Sequence, residues 1–172
     1  DPAFDLDRRR AFKVGVVRKL TGASGQLSRQ RKITCIRGHA ALDGPTSMRV
    51  ATAEGEVRVD FERAILATGS RPATLPALPD SRRIVDSTRA LELEEVPGRL
   101  LVVGGGYIGL ELGTVYAALG AKVTVVEMMP AIHPLIDDVL ARRQQQMLRV
   151  GGVKLVVEAR AKGVTQTADG LS

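Results

Sequence analysis

Hydrophobic and polar positions change rhythm three times along the chain. Residues 7–30 keep a helical rhythm, with Phe12, Val16 and Leu20 on one face and Val17 alongside. Asp7 is the expected N-cap, and Gly22 and Gly25 are expected to break the run. Thr21-Gly22-Ala23-Ser24-Gly25 then reads as a turn between helices rather than a phosphate loop, because no strand precedes it. From Lys32 to Thr68 the texture shortens. Apolar runs at Ile33 to Arg37, Met48 to Thr52, Val57 to Val59 and Ala64 to Ala67 alternate with turn signals at Asp43-Gly44-Pro45 and Glu54-Gly55, the pattern of short strands. The last run empties into Thr68-Gly69-Ser70, which would place free backbone N–H groups and a hydroxyl where open α/β sheets bind ligands. Pro72, Pro76 and Pro79 mark residues 71–80 as an extended linker. Beyond it, Asp86-Ser87-Thr88 is expected to cap a short helix through Glu95, and Pro97-Gly98 turns the chain.

The third rhythm is the most informative. Leu100 to Val103 is an unbroken apolar run, as in a strand buried on both faces of a parallel sheet. Gly104-x-Gly106-x-x-Gly109 follows and opens an apolar helix, Tyr107 to Leu119, with Gly120 as a left-handed terminator. A second strand, Val123 to Val126, closes on Glu127. Asp137 is expected to cap a helix over 138–150 that buries Val139, Leu140, Met147 and Leu148 and stops at Gly151-Gly152. A third strand is expected from Val153 to Glu158, and another begins at Lys162 to Gln166. The sum is an α/β fold with right-handed, parallel β-α-β-α-β winding. A six-stranded nucleotide sheet needs more than this, so the sequence is expected to be cut.

Strand, glycines, helix, strand and terminal acid in that order describe a dinucleotide site. Gly104 would permit the tight turn, Gly106 the approach of a pyrophosphate, and Gly109 close packing of helix on strand. The phosphates would sit at the helix N-terminus. Glu127 would accept hydrogen bonds from the adenosine ribose. It would repel an NADP 2′-phosphate, and Met128 to His133 offer no Lys or Arg to receive one, so NAD is the expected cofactor. Glu111 is the single charge in the helix. It is expected either to meet a partner or the ligand, or to be stabilised by the helix dipole. A membrane span over 100–121 is rejected. Glu111 at the bilayer centre would cost roughly 2.5–3.5 kcal/mol on insertion scales, and glycines interrupt the run.

Composition narrows the function classes. With 44% hydrophobic residues among 172, the chain can bury a core as one domain or two small ones. Three Phe, two Tyr and no Trp make a nucleic-acid stacking surface improbable despite a net charge of +6. The arginines fall in short clusters, which read as solvated faces or assembly contacts. One cysteine, Cys35, excludes an internal disulfide and any CxxC site, and is expected to be a small buried hydrophobe. His39 and His133 lack neighbours at ligand spacing, so no metal site is expected. Asp1 to Asp5 are acidic and unlike a signal peptide. A soluble protein of the reducing cytoplasm is the expectation.

ILATGSRP, VDSTRALEL, LLVVGGGYIGLELG and VTVVE, in that order and spacing, resemble the middle of a pyridine nucleotide-disulfide oxidoreductase. KLTGASGQLSRQRK and the run through GTVYAALGAKVTVVE are most similar to the bacterial dihydrolipoamide dehydrogenases of that family. The resemblance implies a partial FAD-binding domain over 1–70, a linker and short helix over 71–98, and the first half of a Rossmann-type NAD-binding domain over 99–172. It implies that Gly104, Gly105, Gly106, Tyr107, Ile108, Gly109, Leu110 and Glu111 form the NAD pyrophosphate loop, with Glu111 near nicotinamide and flavin. Glu127 would bind the adenosine ribose and Ala161 contact the adenine. Thr68, Gly69 and Ser70 would line FAD, and the backbone around Ala40, in Gly38-His39-Ala40, would meet the flavin's adenine. It implies oxidation of dihydrolipoyl groups on the acyltransferase of a 2-oxo-acid dehydrogenase complex, by a homodimer when full length. The family's FAD fingerprint, redox cysteine pair and His-Glu pair are absent from the 172 residues, so the chain alone is expected to be inactive. Two other classes stay open: a relative acting on mercuric ion, another disulfide or another nicotinamide pool, and a non-catalytic NAD-binding module.

Overall fold

A computed structural model describes residues 5–75, 78–167 and 170–172. The expectations for the acidic start, Asp1 to Phe4, and for Pro76 in the linker lie outside the described residues. The chain divides into two compact units, one of residues 11–70 and one of residues up to 10 together with 71–172.

The smaller unit holds most of α1 (Leu6–Gln30) and an antiparallel meander of β1 (His39–Gly44), β2 (Ser47–Thr52) and β3 (Gly55–Asp60). Five expectations change here. Asp5, not Asp7, caps α1: its carboxylate accepts from the Arg8 N–H at 3.0 Å. The helix runs unbroken through Gly22 and Gly25. A mid-helix glycine costs only about 1 kcal/mol, and here the Thr21 and Ser28 hydroxyls bond the Val17 and Ser24 carbonyls one turn back. Residues 33–37 form no strand, because β2 pairs with the later run His39 to Gly44. Cys35 is accordingly exposed rather than buried. Residues 64–67 likewise find no strand partner, and Ile65 and Leu66 are exposed. The two turn signals stand where β1 meets β2 and β2 meets β3.

The larger unit contains α2 (Ser87–Glu92), β4 (Arg99–Val103), α3 (Tyr107–Ala118), β5 (Lys122–Val126), α4 (Asp138–Val150) and β6 (Lys154–Val156). β4, β5 and β6 form a parallel sheet in that order, Leu100 facing Val123 and Val102 facing Val125. The β-α-β-α-β winding is therefore parallel, as the apolar periodicity requires. Asp86 caps α2 through the Arg89 N–H, but α2 ends at Glu92 rather than Glu95 because Leu93 turns left-handed, with φ of 52°. Asp137 caps α4 at the Val139 N–H.

The core lies between this sheet and its helices. Leu110, Tyr116, Val123, Val125, Ile132, Leu148 and Val153 are buried in one cluster. Two expectations of burial fail. Leu101 and Val103 on β4 are exposed, so only one face of the strand is covered among the described residues. On α4 the face turned to the core carries Ala141 and Leu148, leaving Val139, Leu140 and Met147 exposed. The third strand is shorter than expected, and residues 162–166 join no sheet beyond a bridge from Gln166 to Leu171.

Candidate functional site

The glycine loop joins the carboxyl end of β4 to α3. Gly104 has φ of 106°, a left-handed conformation that glycine adopts without strain, and its N–H donates to the Val126 carbonyl at 2.9 Å. This bond ties the turn to the end of β5. Gly109 sits where a Cβ would stand 2.5 Å from the Gly104 carbonyl oxygen and 3.0 Å from Val102 Cγ1. Only a residue without a side chain lets α3 lie this close to its strand.

Gly106 is different. It is the N-cap of α3, in ordinary extended backbone with φ of −77°, and no side chain caps the helix. A Cβ there would meet nothing within 4 Å. The first backbone N–H groups of α3 have no acceptor within the helix, and the positive end of the helix dipole lies behind them. The donors, the dipole and the free space in front of Gly106 fit a pyrophosphate.

Glu127 follows β5, and its side chain bends back to the loop. One carboxylate oxygen accepts from the Gly105 N–H at 2.6 Å and the other from the Met129 N–H at 2.8 Å. Its own backbone is bound to the third strand's end, N–H to the Val156 carbonyl at 2.8 Å and carbonyl to the Ala159 N–H at 3.0 Å. Four hydrogen bonds therefore fix this acid beside the glycines. Each carboxylate oxygen keeps a further acceptor site for a hydroxyl.

The structure brings Gly104, Gly105, Gly106, Gly109 and Glu127 together. Leu110 anchors the loop from below, at 1% exposure. Tyr107 and Ile108 are exposed at the start of α3. Glu111 is exposed as well: α3 is otherwise apolar, and the side that carries Glu111 has no layer against it among the described residues. Ala161 is exposed, two residues past the Ala159 N–H that holds Glu127. Ala40 lies in β1 and Thr68, Gly69 and Ser70 in the loop that ends the smaller unit, all exposed, with Gly69 at φ of 77°. These four form no enclosed cradle by themselves.

Sequence reasoning missed Ile132 and His133. Ile132 is fully buried and the His133 N–H donates to the Gly105 carbonyl at 3.0 Å. The available signal was a large apolar residue, Ile132, between Pro130 and Pro134. Among the described residues no helix is long and apolar enough to cross a membrane, and no group of three His, Cys, Asp or Glu could hold a metal ion.

Comparison with known proteins follows the same line. Dihydrolipoyl dehydrogenase of Vibrio cholerae is 40% identical over 172 residues, covering 99% of this chain and 36% of the relative. That of Geobacillus stearothermophilus is 40% identical over 169 residues, with 98% and 36% covered. The chain thus spans little more than a third of these relatives. Among solved structures, LpdA from Mycobacterium tuberculosis matches at a TM-score of 0.87 and 26% identity, over 98% of this chain and 39% of that one. The HOCl-induced flavoprotein disulfide reductase RclA from Escherichia coli matches at 0.81 and 29%, over 95% and 38%. The sequence pattern of one family, pyridine nucleotide-disulphide oxidoreductase, runs from residue 5 to residue 172. With that match spanning both units, and a loop whose geometry had already asked for a dinucleotide, this chain belongs to the pyridine nucleotide-disulphide oxidoreductase family.

Proposed function

We propose that these residues are the nucleotide-binding portion of an FAD- and NAD-dependent dihydrolipoyl dehydrogenase. In this reading residues 1–70 contribute to an FAD domain, 71–98 connect, and 99–172 begin the NAD domain. The observation that carries it is the glycine loop bound to Glu127, a binding edge with N–H donors for the pyrophosphate and a fixed carboxylate for the ribose. The 40% identity to dihydrolipoyl dehydrogenases favours protein-bound dihydrolipoyl groups as the electron source. Gly104 to Glu111, Glu127 and Ala161 would hold NAD; Ala40 and Thr68 to Ser70 would face FAD. NAD supplies a hydride acceptor when bound. The chain's own residues bind and orient it: α3 neutralises the phosphates, and Glu127 holds the ribose and disfavours a 2′-phosphate. The single cysteine cannot form the redox pair a dithiol substrate requires, so turnover belongs to a longer polypeptide. That polypeptide would act as a cytoplasmic homodimer with the lipoyl-bearing acyltransferase of a 2-oxo-acid dehydrogenase complex.

Fluorescence titration of the 172-residue protein with NADH and NADPH tests the site. NADH is expected to bind at least about tenfold more tightly, the equivalent of about 1.4 kcal/mol. Equal affinities would remove Glu127 as the selector, and binding of neither would remove the dinucleotide site.

A further inference from the structure

The segment after Glu127 holds the glycine loop as well as leading to α4. It reads Met128-Met129-Pro130-Ala131-Ile132-His133-Pro134, and Ile132 is fully buried between exposed prolines. Ile132 Cγ2 lies 3.0 Å from the point where a Cβ on Gly105 would stand. His133 takes a left-handed backbone, φ of 51°, that residues with side chains rarely adopt. That conformation accompanies donation of its N–H to the Gly105 carbonyl at 3.0 Å. The Gly105 N–H is occupied by Glu127 at 2.6 Å. Glu127 and the segment after it therefore hold Gly105 at both backbone polar groups, with Ile132 packed on the side where a Cβ would stand.

The planarity of the peptide bond gives this contact a consequence. The Gly105 carbonyl and the Gly106 N–H belong to the same peptide plane and point in opposite directions across it. A carbonyl fixed on His133 aims the Gly106 N–H away from the segment. Gly106 is also where the loop opens onto free space.

We propose that Ile132 and His133 are positioning residues for the pyrophosphate of the dinucleotide, acting through the Gly105 to Gly106 peptide. The inference rests on the dinucleotide reading above and adds a part of the grip that is distinct from ribose recognition. Without the Ile132 contact the peptide can rotate, and the loop loses its aimed donor while the ribose carboxylate stays in place. Phosphate-bearing and phosphate-free ligands should then respond differently.

The test is calorimetric titration of the chain with NADH and with adenosine, for the wild type and three variants at one site. Ile132→Ala is expected to weaken NADH about tenfold while changing adenosine less than about twofold. Ile132→Leu keeps the volume but removes the β-branch that meets Gly105, and is expected to weaken NADH about threefold without endangering the fold. Ile132→Val keeps the branch and is expected to match the wild type. Wild-type NADH affinity in both the Ala and Leu variants would overturn the proposal. So would equal losses for NADH and adenosine, which would make Ile132 a core residue only. A wild type that binds adenosine but not NADH would overturn the dinucleotide reading itself, a separate outcome.

Discussion

Gly106 and Gly109 stand one helical turn apart, and a side chain should harm them in opposite ways. At Gly109 a methyl group would meet the Gly104 carbonyl oxygen at 2.5 Å and Val102 Cγ1 at 3.0 Å. Gly109→Ala is therefore expected to destabilise the fold by about 1–3 kcal/mol, the range for overpacking, read from urea unfolding. At Gly106 nothing lies within 4 Å and φ is ordinary. Gly106→Val should keep the circular dichroism spectrum and lower NADH affinity by about 100-fold or more, because the side chain fills the space a phosphate needs. Retained NADH affinity would make the loop a turn and nothing else. The close packing at Gly109 and the open backbone at Gly106 were legible in the GxGxxG spacing, since each follows from lacking a Cβ. Glu127 was legible by its place at a strand end. Its two hydrogen bonds to the Gly105 and Met129 N–H groups were not, because no local pattern says where a carboxylate will turn.

At the scale of elements, the contact of α2 with α3 centres on Tyr116. Its hydroxyl donates to the Ala90 carbonyl at 2.9 Å inside the core cluster. Tyr116→Phe is expected to cost about 1 kcal/mol, from the lost hydrogen bond alone, since the Ala90 carbonyl keeps the Leu93 N–H as a donor at 3.3 Å, measured by urea unfolding. The same hydroxyl sets a pH dependence. Burial pushes its titration up from the ordinary 10.0, and the charges of Glu95 and Glu94 push the same way. The folded state therefore holds this proton more tightly than the unfolded chain. The stability it contributes is fully present below pH 10 and is lost as pH rises through the higher folded value. The wild type should lose stability over that alkaline interval and the Phe variant should not show this component; parallel alkaline curves would contradict it. α4 shows how far periodicity carries an element. Its caps and length follow from Asp137 and Gly151, but Val139, Leu140 and Met147 share the apolar character of Leu148 and lie away from the core. Hydrophobicity marks positions that can be buried, and packing chooses among them.

Across the whole molecule, burial is unevenly shared between the two units. The core cluster belongs entirely to the larger one, whereas the smaller contributes only Val50 and Ser47 to the buried residues. Local stability follows buried contacts, so amide hydrogen exchange should be slow on β5 and fast on the meander. Protection at Val123 and Val125 is expected to exceed that at Val57 and Val59 by roughly 100-fold; equal protection would mean the meander has a core of its own. The parallel winding, the helix boundaries at Asp86, Gly106 and Asp137, and the glycine turn between β4 and α3 were all determined by the sequence. Caps, glycine spacing and apolar periodicity act within a few residues of themselves, so one chain read alone reveals them. Three other features were decided by tertiary structure: the exposure of Cys35 and Glu111, the face of β4 left uncovered among the described residues, and the use of Ile132 and His133 to hold Gly105. Each depends on which distant segment arrives opposite it, and long-range pairing leaves no mark on local pattern.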